Sequence, residues 1–354
     1  MRRRFGRHRS AYGGIFSSSI IPFSGEKPPE SAGFRKETMK QYAALLPSGI
    51  WPPALTAFTP GGVLDMPGNR ALFEWYAAVH VDGLFVSCLT GELNCLSSRE
   101  VVELNRLAVE TSAGRYPVVG GVMAAVATPE AIAEEVLRLA ETGVAAVVVL
   151  VSQLASPDED DDRLLANTRR LLDRTGDVPL GLYECPKPYH RLLKESTLAE
   201  LAATGRFLFF KDTCCDIRRI RERIRLVRGT PLRLFNANAA TLLDSFRAGV
   251  NGYCGVGANY YPKLFQLLWH HCESSGAEEL GHFIAANDHL ADLGNAYPVS
   301  AKFMAQLHGL PVSLCCRITD RTIDDADRLS LRKLDSDAGL LIRNFSAVPS
   351  META

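Results

Sequence analysis

From Gly49 onward the chain alternates short β-branched or apolar runs with longer stretches in which apolar residues recur at the helical period. The short runs predict eight strands: 50–58, 83–87, 117–122, 145–151, 178–183, 207–211, 232–236 and 252–256. Residues 145–151 are almost continuously apolar, as expected of a strand buried on both faces. Between the strands, helices are predicted over 66–79, from Ser97 to Ala113, from Pro129, up to about Arg174, and near 195–204, 216–228 and 239–248. Ser97-Ser98-Arg99-Glu100 has the spacing of a capping box. Thr128-Pro129-Glu130 places proline at the first helical position, where its missing N–H costs nothing. Eight strand-plus-helix units in about 210 residues match a closed (β/α)8 barrel. The competing doubly wound sheet lacks a Gly-x-Gly-x-x-Gly after its first strand. Further helices over 278–293, 300–308 and 322–340 read as a C-terminal helical extension. The expected organisation is thus a leader over 1–47, the barrel over 48–275, the extension over 276–345 and a tail over 346–354.

Composition narrows the class. Of 354 residues, 47% are hydrophobic and 22% charged, enough material for a large globular core. A formal net charge of −1 gives no electrostatic case for nucleic acid or an anionic membrane. The longest apolar run, Val144 to Val151, is less than half a membrane span. The nine cysteines include no C-x-x-C pair, and two doublets, Cys214-Cys215 and Cys315-Cys316, suit neither a disulfide framework nor a tetrahedral metal site. A reducing, cytoplasmic compartment is the simplest reading. The leader adds a second one: Arg2, Arg3, Arg4, Arg7 and Arg9 come with serines and no acid before Glu26, a composition shared by organelle transit segments and by unstructured leaders. Asp158 to Asp162 resembles a cation site only superficially, because consecutive acids fan around a helix start instead of converging.

In a barrel of this kind the chemistry is built at the C-terminal ends of the strands. Lys211 ends strand six after Phe207-Leu208-Phe209-Phe210. An ammonium at the mouth of an apolar barrel is poorly solvated, which favours the neutral amine that attacks ketones to form an imine. The plain alternative is a lysine leaving its strand for solvent. Tyr183 closes strand five, one barrel position away, where a phenol can relay protons or simply pack at the rim. After strand two, the turn Leu89-Thr90-Gly91-Glu92 offers backbone N–H groups and a hydroxyl to a small carboxylate, or is an ordinary strand-to-helix turn.

The order and spacing of these elements resemble the dihydrodipicolinate synthase / N-acetylneuraminate lyase family of class I, Schiff-base pyruvate aldolases. The resemblance spans about residues 49–310. It includes Leu55-Thr56-Ala57-Phe58, Thr90-Gly91-Glu92, Gly114-Arg115-Tyr116-Pro117, Tyr183-x-x-Pro186 and Lys211-Asp212. It continues through Ala248-Gly249-x-x-Gly252, Ala258-Asn259 and Pro298-x-x-x-Lys302. The resemblance implies a usually homo-oligomeric barrel without metal or organic cofactor. It makes Lys211 the imine lysine, Tyr183 the proton shuttle and the Leu89–Thr90–Gly91 turn the carboxylate holder, with the backbone at Cys254 and Gly255 lining the keto acid.

The departures limit the substrate. Leu89 stands where the family usually has a relay hydroxyl, and Val151-Ser152-Gln153-Leu154 replaces a run that often carries a second relay tyrosine. Position 188, where the lysine-pathway synthase places an arginine, is proline, although Lys187, His190 and Arg191 lie close by. Asn236-Ala237-Asn238 replaces a common Gly-Asp pair after strand seven, and its amides suit either a hydroxylated substrate or the turn itself. The expectation is a Schiff-base lyase acting on a 2-keto acid and an unidentified aldehyde, and not an efficient dihydrodipicolinate synthase. Two alternatives stay open: a dehydratase or hydratase-aldolase of 2-keto-3-deoxy sugar acids, and a non-catalytic ligand-binding relative.

Overall fold

The computed structural model describes residues 46–293 and 296–347, and all eight expected strands are present. They are β1 (Gly49–Ile50), β2 (Leu84–Val86), β3 (Val118–Val122), β4 (Ala146–Leu150), β5 (Leu180–Tyr183), β6 (Phe207–Asp212), β7 (Arg233–Asn236) and β8 (Gly252–Tyr253). They pair in parallel in the order β1-β8-β7-β6-β5-β4-β3-β2. The two ends of that order meet. Pro53, just past β1, bridges Phe85 of β2, with the Ala54 N–H donating to the Phe85 carbonyl (2.8 Å) and the Phe85 N–H to the Pro52 carbonyl (3.1 Å). The sheet closes into a (β/α)8 barrel.

The first strand is shorter than the expected 50–58. Pro52 and Pro53 have no N–H to give a ladder, so pairing stops at Ile50 and the segment then touches its neighbours only through single bridges. At the far seam Gly252 is obligatory: a Cβ there would sit 1.9 Å from the Gly49 carbonyl oxygen across the β1–β8 pair.

Helices α1 (Met66–Ala78), α2 (Ser98–Ser112), α3 (Pro129–Ala140), α4 (Asp161–Thr175), α5 (Glu195–Ala203), α6 (Ile217–Val227) and α7 (Leu242–Arg247) fall between the strands. Their starts follow local chemistry. Ser97 and Glu100 form the expected capping box, Thr128 caps α3, and Asp160 caps α4 by accepting from the Arg163 N–H at 2.9 Å. An eighth barrel helix, α8 (Pro262–His270), escaped the sequence reading and packs against β1. The C-terminal helices are α9 (Ala277–Asp292), α10 (Val299–Leu307) and α11 (Asp325–Ala347), and α11 packs on α8, α9 and α10. The last helix begins later than the expected residue 322. Asp324 and Asp327 hydrogen-bond each other's backbone N–H groups and fix its start there. The expected leader and tail lie outside the described residues, save Leu46, Pro47, Ser346 and Ala347.

The barrel interior is filled by aromatic rings. Trp51, Phe209 and Phe235 pack with centroids 4.7 to 5.5 Å apart, and Phe85 meets Phe209 edge-on at 5.5 Å. These rings form the floor on which the candidate site stands. Among the described residues no helix is long and apolar enough to cross a membrane.

Candidate active site

Tyr183 at the end of β5 is in register with Lys211 of β6, and Lys211 with Phe235 of β7. Side chains alternate along a strand, so the three enter the barrel at one level. The Lys211 Nζ lies 4.6 Å from the centre of the Tyr183 ring and 5.5 Å from that of Phe85. Lys211 is 3% exposed and Tyr183 4%. Among the described residues no carboxylate pairs with Lys211, so the faces of the two rings supply the stabilisation its charged form receives. Burial lifts the Tyr183 phenol well above its ordinary value, with the Cys185 and Cys88 thiols adding to the effect.

The next residue on each strand points outward. Glu184 and Asp212 both reach Arg223 of α6, at 2.7 Å and 2.8 Å, and all three side chains are fully buried. Glu184 also accepts from the Leu193 N–H at 2.8 Å. Burial raises the Glu184 carboxyl in spite of the neighbouring guanidinium. For Arg223 burial works against the charge, but Asp212 and Glu184 together hold it above its ordinary value. This clamp joins the ends of β5 and β6 from behind and fixes the spacing of Tyr183 and Lys211.

Three buried thiols gather at the same end of the barrel. The Tyr253 ring stacks outward on Phe265 of α8 at 4.5 Å, so alternation turns Cys254 inward. Burial pushes the Cys254 thiol up to about 12, against the pull of nearby Lys211. Cys88 lies within electrostatic reach of Tyr183, Cys185 and Cys254. Gly255 follows Cys254 and opens the turn Val256–Asn259.

Leu89, Thr90 and Gly91 form the turn after β2. A Cβ on Gly91 would lie 2.9 Å from the Ala54 carbonyl, so only glycine fits. The Gly91 carbonyl accepts from Thr56 at 2.7 Å. Thr90 is 5% exposed. Glu92 has left-handed backbone (φ 62°) and turns away from the site. Its carboxylate is taken up by Lys302 of α10 (2.8 Å) and by the N–H groups of Arg317 (2.6 Å) and Ile318 (3.0 Å).

At the rim, Arg191 is committed to Asp161 (2.8 Å) and to the Ser156 and Glu159 carbonyls (3.0 and 2.9 Å). Asn236 and Asn238 spend their side chains on the turn and on Thr241 and Ser245. Lys187 and His190 are exposed, and the His190 Nε2 lies 2.8 Å from the Thr213 hydroxyl, two residues past Lys211.

Arg223 and Lys302 were not singled out from the sequence as site residues. Arg223 did leave a signal, since it falls on the buried stripe of α6 with Ile220 and Val227, where a charge needs a buried partner. Lys302 left only its place in a motif.

A parallel barrel with an unpaired, desolvated lysine at a strand's C-terminal end has the architecture of the class I lyases. The chain belongs to the dihydrodipicolinate synthetase family, whose model matches residues 46–336. It is similar to the 4-hydroxy-tetrahydrodipicolinate synthase of Shewanella piezotolerans, at 28% identity over 261 residues, covering 72% of this chain and 86% of the relative. A synthase of the same name from Shewanella pealeana is 26% identical over 294 residues, covering 81% and 93%. Among solved structures, a prophage protein of E. coli K12 from the dihydrodipicolinic acid synthase family, in complex with pyruvate, superposes with a TM-score of 0.73 at 22% identity, covering 83% of this chain and 99% of that one. The synthase of Cyanidioschyzon merolae with lysine bound gives 0.74 at 21% identity, covering 84% and 99%. At those identities the structures speak for the fold. With the family established, the protein is an enzyme, a lyase of the lysine Schiff-base class.

Proposed function

We propose that Lys211 forms an imine with a 2-keto acid, pyruvate first, and that the enzyme makes or breaks a carbon–carbon bond to an aldehyde other than aspartate semialdehyde. The observation that carries this is the buried, unpaired Lys211 amine lying 4.6 Å from the ring of Tyr183, its partner in strand register. An imine there acts as an electron sink for the carbanion formed at the neighbouring carbon. Tyr183 carries protons during imine formation and bond cleavage. Thr90 with the Leu89–Gly91 backbone holds the carboxylate, and Cys254 and Gly255 line the other side. A homo-oligomer belongs to the same reading.

The exclusion of aspartate semialdehyde rests on the rim. Pro188 supplies no guanidinium, and Arg191 is tied to Asp161. A second carboxylate then lacks a charge-assisted partner, a loss of about 1.5–3 kcal/mol. A hydroxylated aldehyde suits the hydrogen-bonding His190–Thr213 pair better, and the same feature favours, as second reading, dehydration of a 2-keto-3-deoxy sugar acid.

Borohydride with pyruvate is expected to add one reduced keto-acid unit, seen by mass spectrometry on the peptide carrying Lys211. If no 2-keto acid in a panel gives an adduct, the imine reading fails. Condensation of pyruvate with aspartate semialdehyde at about 10 s⁻¹, an ordinary metabolic rate, would overturn the exclusion alone.

A further inference from the structure

We infer that His190 is a specificity-determining residue for the second substrate: its ring stands above the Tyr183–Lys211 pair, anchored through Nε2, and its open Nδ1 accepts a hydrogen bond from a hydroxyl of the aldehyde. The inference rests on the imine reading above and deepens it by naming the atom that reads the aldehyde.

The placement follows from the strand ends. Asp212 turns outward to Arg223, so the residues on either side of it, Lys211 and Thr213, face the barrel mouth. Thr213 lies two residues past Lys211, roughly 6–7 Å further out along the strand direction. Its hydroxyl donates to the Glu184 carbonyl at 2.6 Å, and the Glu184 N–H donates to the Lys211 carbonyl at 3.3 Å. Glu184 directly follows Tyr183, so these bonds carry the β5–β6 pairing one step beyond Tyr183 and Lys211. The His190 Nε2, 2.8 Å from the Thr213 hydroxyl, sits on that step.

The loop that carries His190 is fixed by its neighbours. The Tyr189 hydroxyl donates to the Ala155 carbonyl, and Arg191 holds the Ser156 and Glu159 carbonyls and Asp161. Both reach the β4–α4 loop, while His190 reaches the opposite way, to the end of β6. The ring is exposed and yet anchored, so little side-chain freedom is left to lose when a ligand binds.

The hydrogen bonds also settle which nitrogen carries the proton. A hydroxyl has one proton, and that of Thr213 goes to a carbonyl, which only accepts. Nε2 is therefore the donor to Thr213, and a ring with a single proton leaves Nδ1 as a lone pair. Among the described residues no protein group bonds Nδ1. Thr213 has no proton left to offer a substrate, so the polar group this pair presents is the Nδ1 acceptor. A lone pair there attracts a hydroxyl and repels a carboxylate or phosphate oxygen.

The test is condensation of pyruvate with glyceraldehyde and with propionaldehyde, which has the same carbon chain and no hydroxyl. It is run at pH 8, above the ordinary imidazole value of about 6.5. His190→Leu is expected to raise KM for glyceraldehyde about tenfold, as for loss of one hydrogen bond. Kinetics with propionaldehyde and borohydride trapping of pyruvate should stay as in the unaltered enzyme. His190→Gln keeps an amide donor for Thr213 and a carbonyl acceptor for the substrate, and should recover part of the loss. An equal change for both aldehydes, or no change for glyceraldehyde, overturns the proposal and leaves His190 a loop residue. An unaltered enzyme that traps pyruvate but condenses it with neither aldehyde overturns it as well. Absence of trapping with every 2-keto acid is a separate failure, that of the imine reading.

Discussion

Tyr183 sits under the Lys211 ammonium with its ring and carries a buried hydroxyl whose proton burial holds in place. Its two contributions can therefore be separated. Tyr183→Phe keeps the ring face and removes the proton carrier, so turnover should fall about 10²–10⁴-fold with KM little changed. Imine trapping should slow without disappearing, because water can stand in for part of the relay. Steady-state kinetics of this variant beside its trapping rate decides the matter, and wild-type turnover would leave Lys211 as the only assigned catalytic group. The positions of Lys211, Tyr183 and the Thr90 turn were legible because each ends a strand, and strand ends define the mouth of a barrel. Cys254 came from sequence only through the resemblance, which made its backbone a lining; its inward side chain follows from the outward stacking of Tyr253. Arg191 looked available from sequence and is not, because its partners lie on the loop before α4 and at its start, while Asn236 and Asn238 serve their own turn and the start of α7.

At the scale of elements, α6 does more than cover β6. Its amphipathic pattern predicts a buried stripe, and Arg223 lies on that stripe between the carboxylates of Glu184 and Asp212. Arg223→Leu preserves helix and bulk but strands two buried carboxylates, which should cost about 3–5 kcal/mol in urea unfolding. Glu184 already has a raised carboxyl, with burial as the main cause. An acid raised in the folded state binds protons more tightly there, so its cost at neutral pH shrinks as pH falls through its folded value. Without the guanidinium that effect grows, and the deficit of the variant should narrow between pH 7 and pH 5. A deficit independent of pH would assign Arg223 to packing alone. Strand order and helix starts were legible from period and caps; the length of β1 was not weighed against Pro52 and Pro53, which end its ladder. The helix α8 lies after the last strand, where the alternation used to find the others has run out.

Across the whole molecule, the C-terminal region is bonded to the second turn of the barrel at more than one point. Arg317 grips Glu100 of α2 through both nitrogens, at 3.0 and 2.6 Å, while its backbone serves Glu92. Arg317 hydrogen-bonds hold the Glu100 carboxyl down at about 2, from an ordinary 4.5. A depressed acid contributes stability above its unfolded value and loses it as pH falls from about 4.5 to about 2. Arg317→Ala should therefore destabilise the protein by about 1–2 kcal/mol at pH 7, and in an acid titration followed by circular dichroism the difference should narrow as pH falls toward 2, leaving what the Arg317 bonds to the Gly62 and Cys95 carbonyls contribute. An unchanged acid transition would show the pair to be idle. The same bonds set an order of events during synthesis. The ladder is complete once Tyr253 has left the ribosome, but Glu92 lacks its partners until Lys302 and Ile318 follow. At ordinary elongation rates that interval lasts roughly 3–13 s, during which the nascent chain has a barrel without a finished mouth.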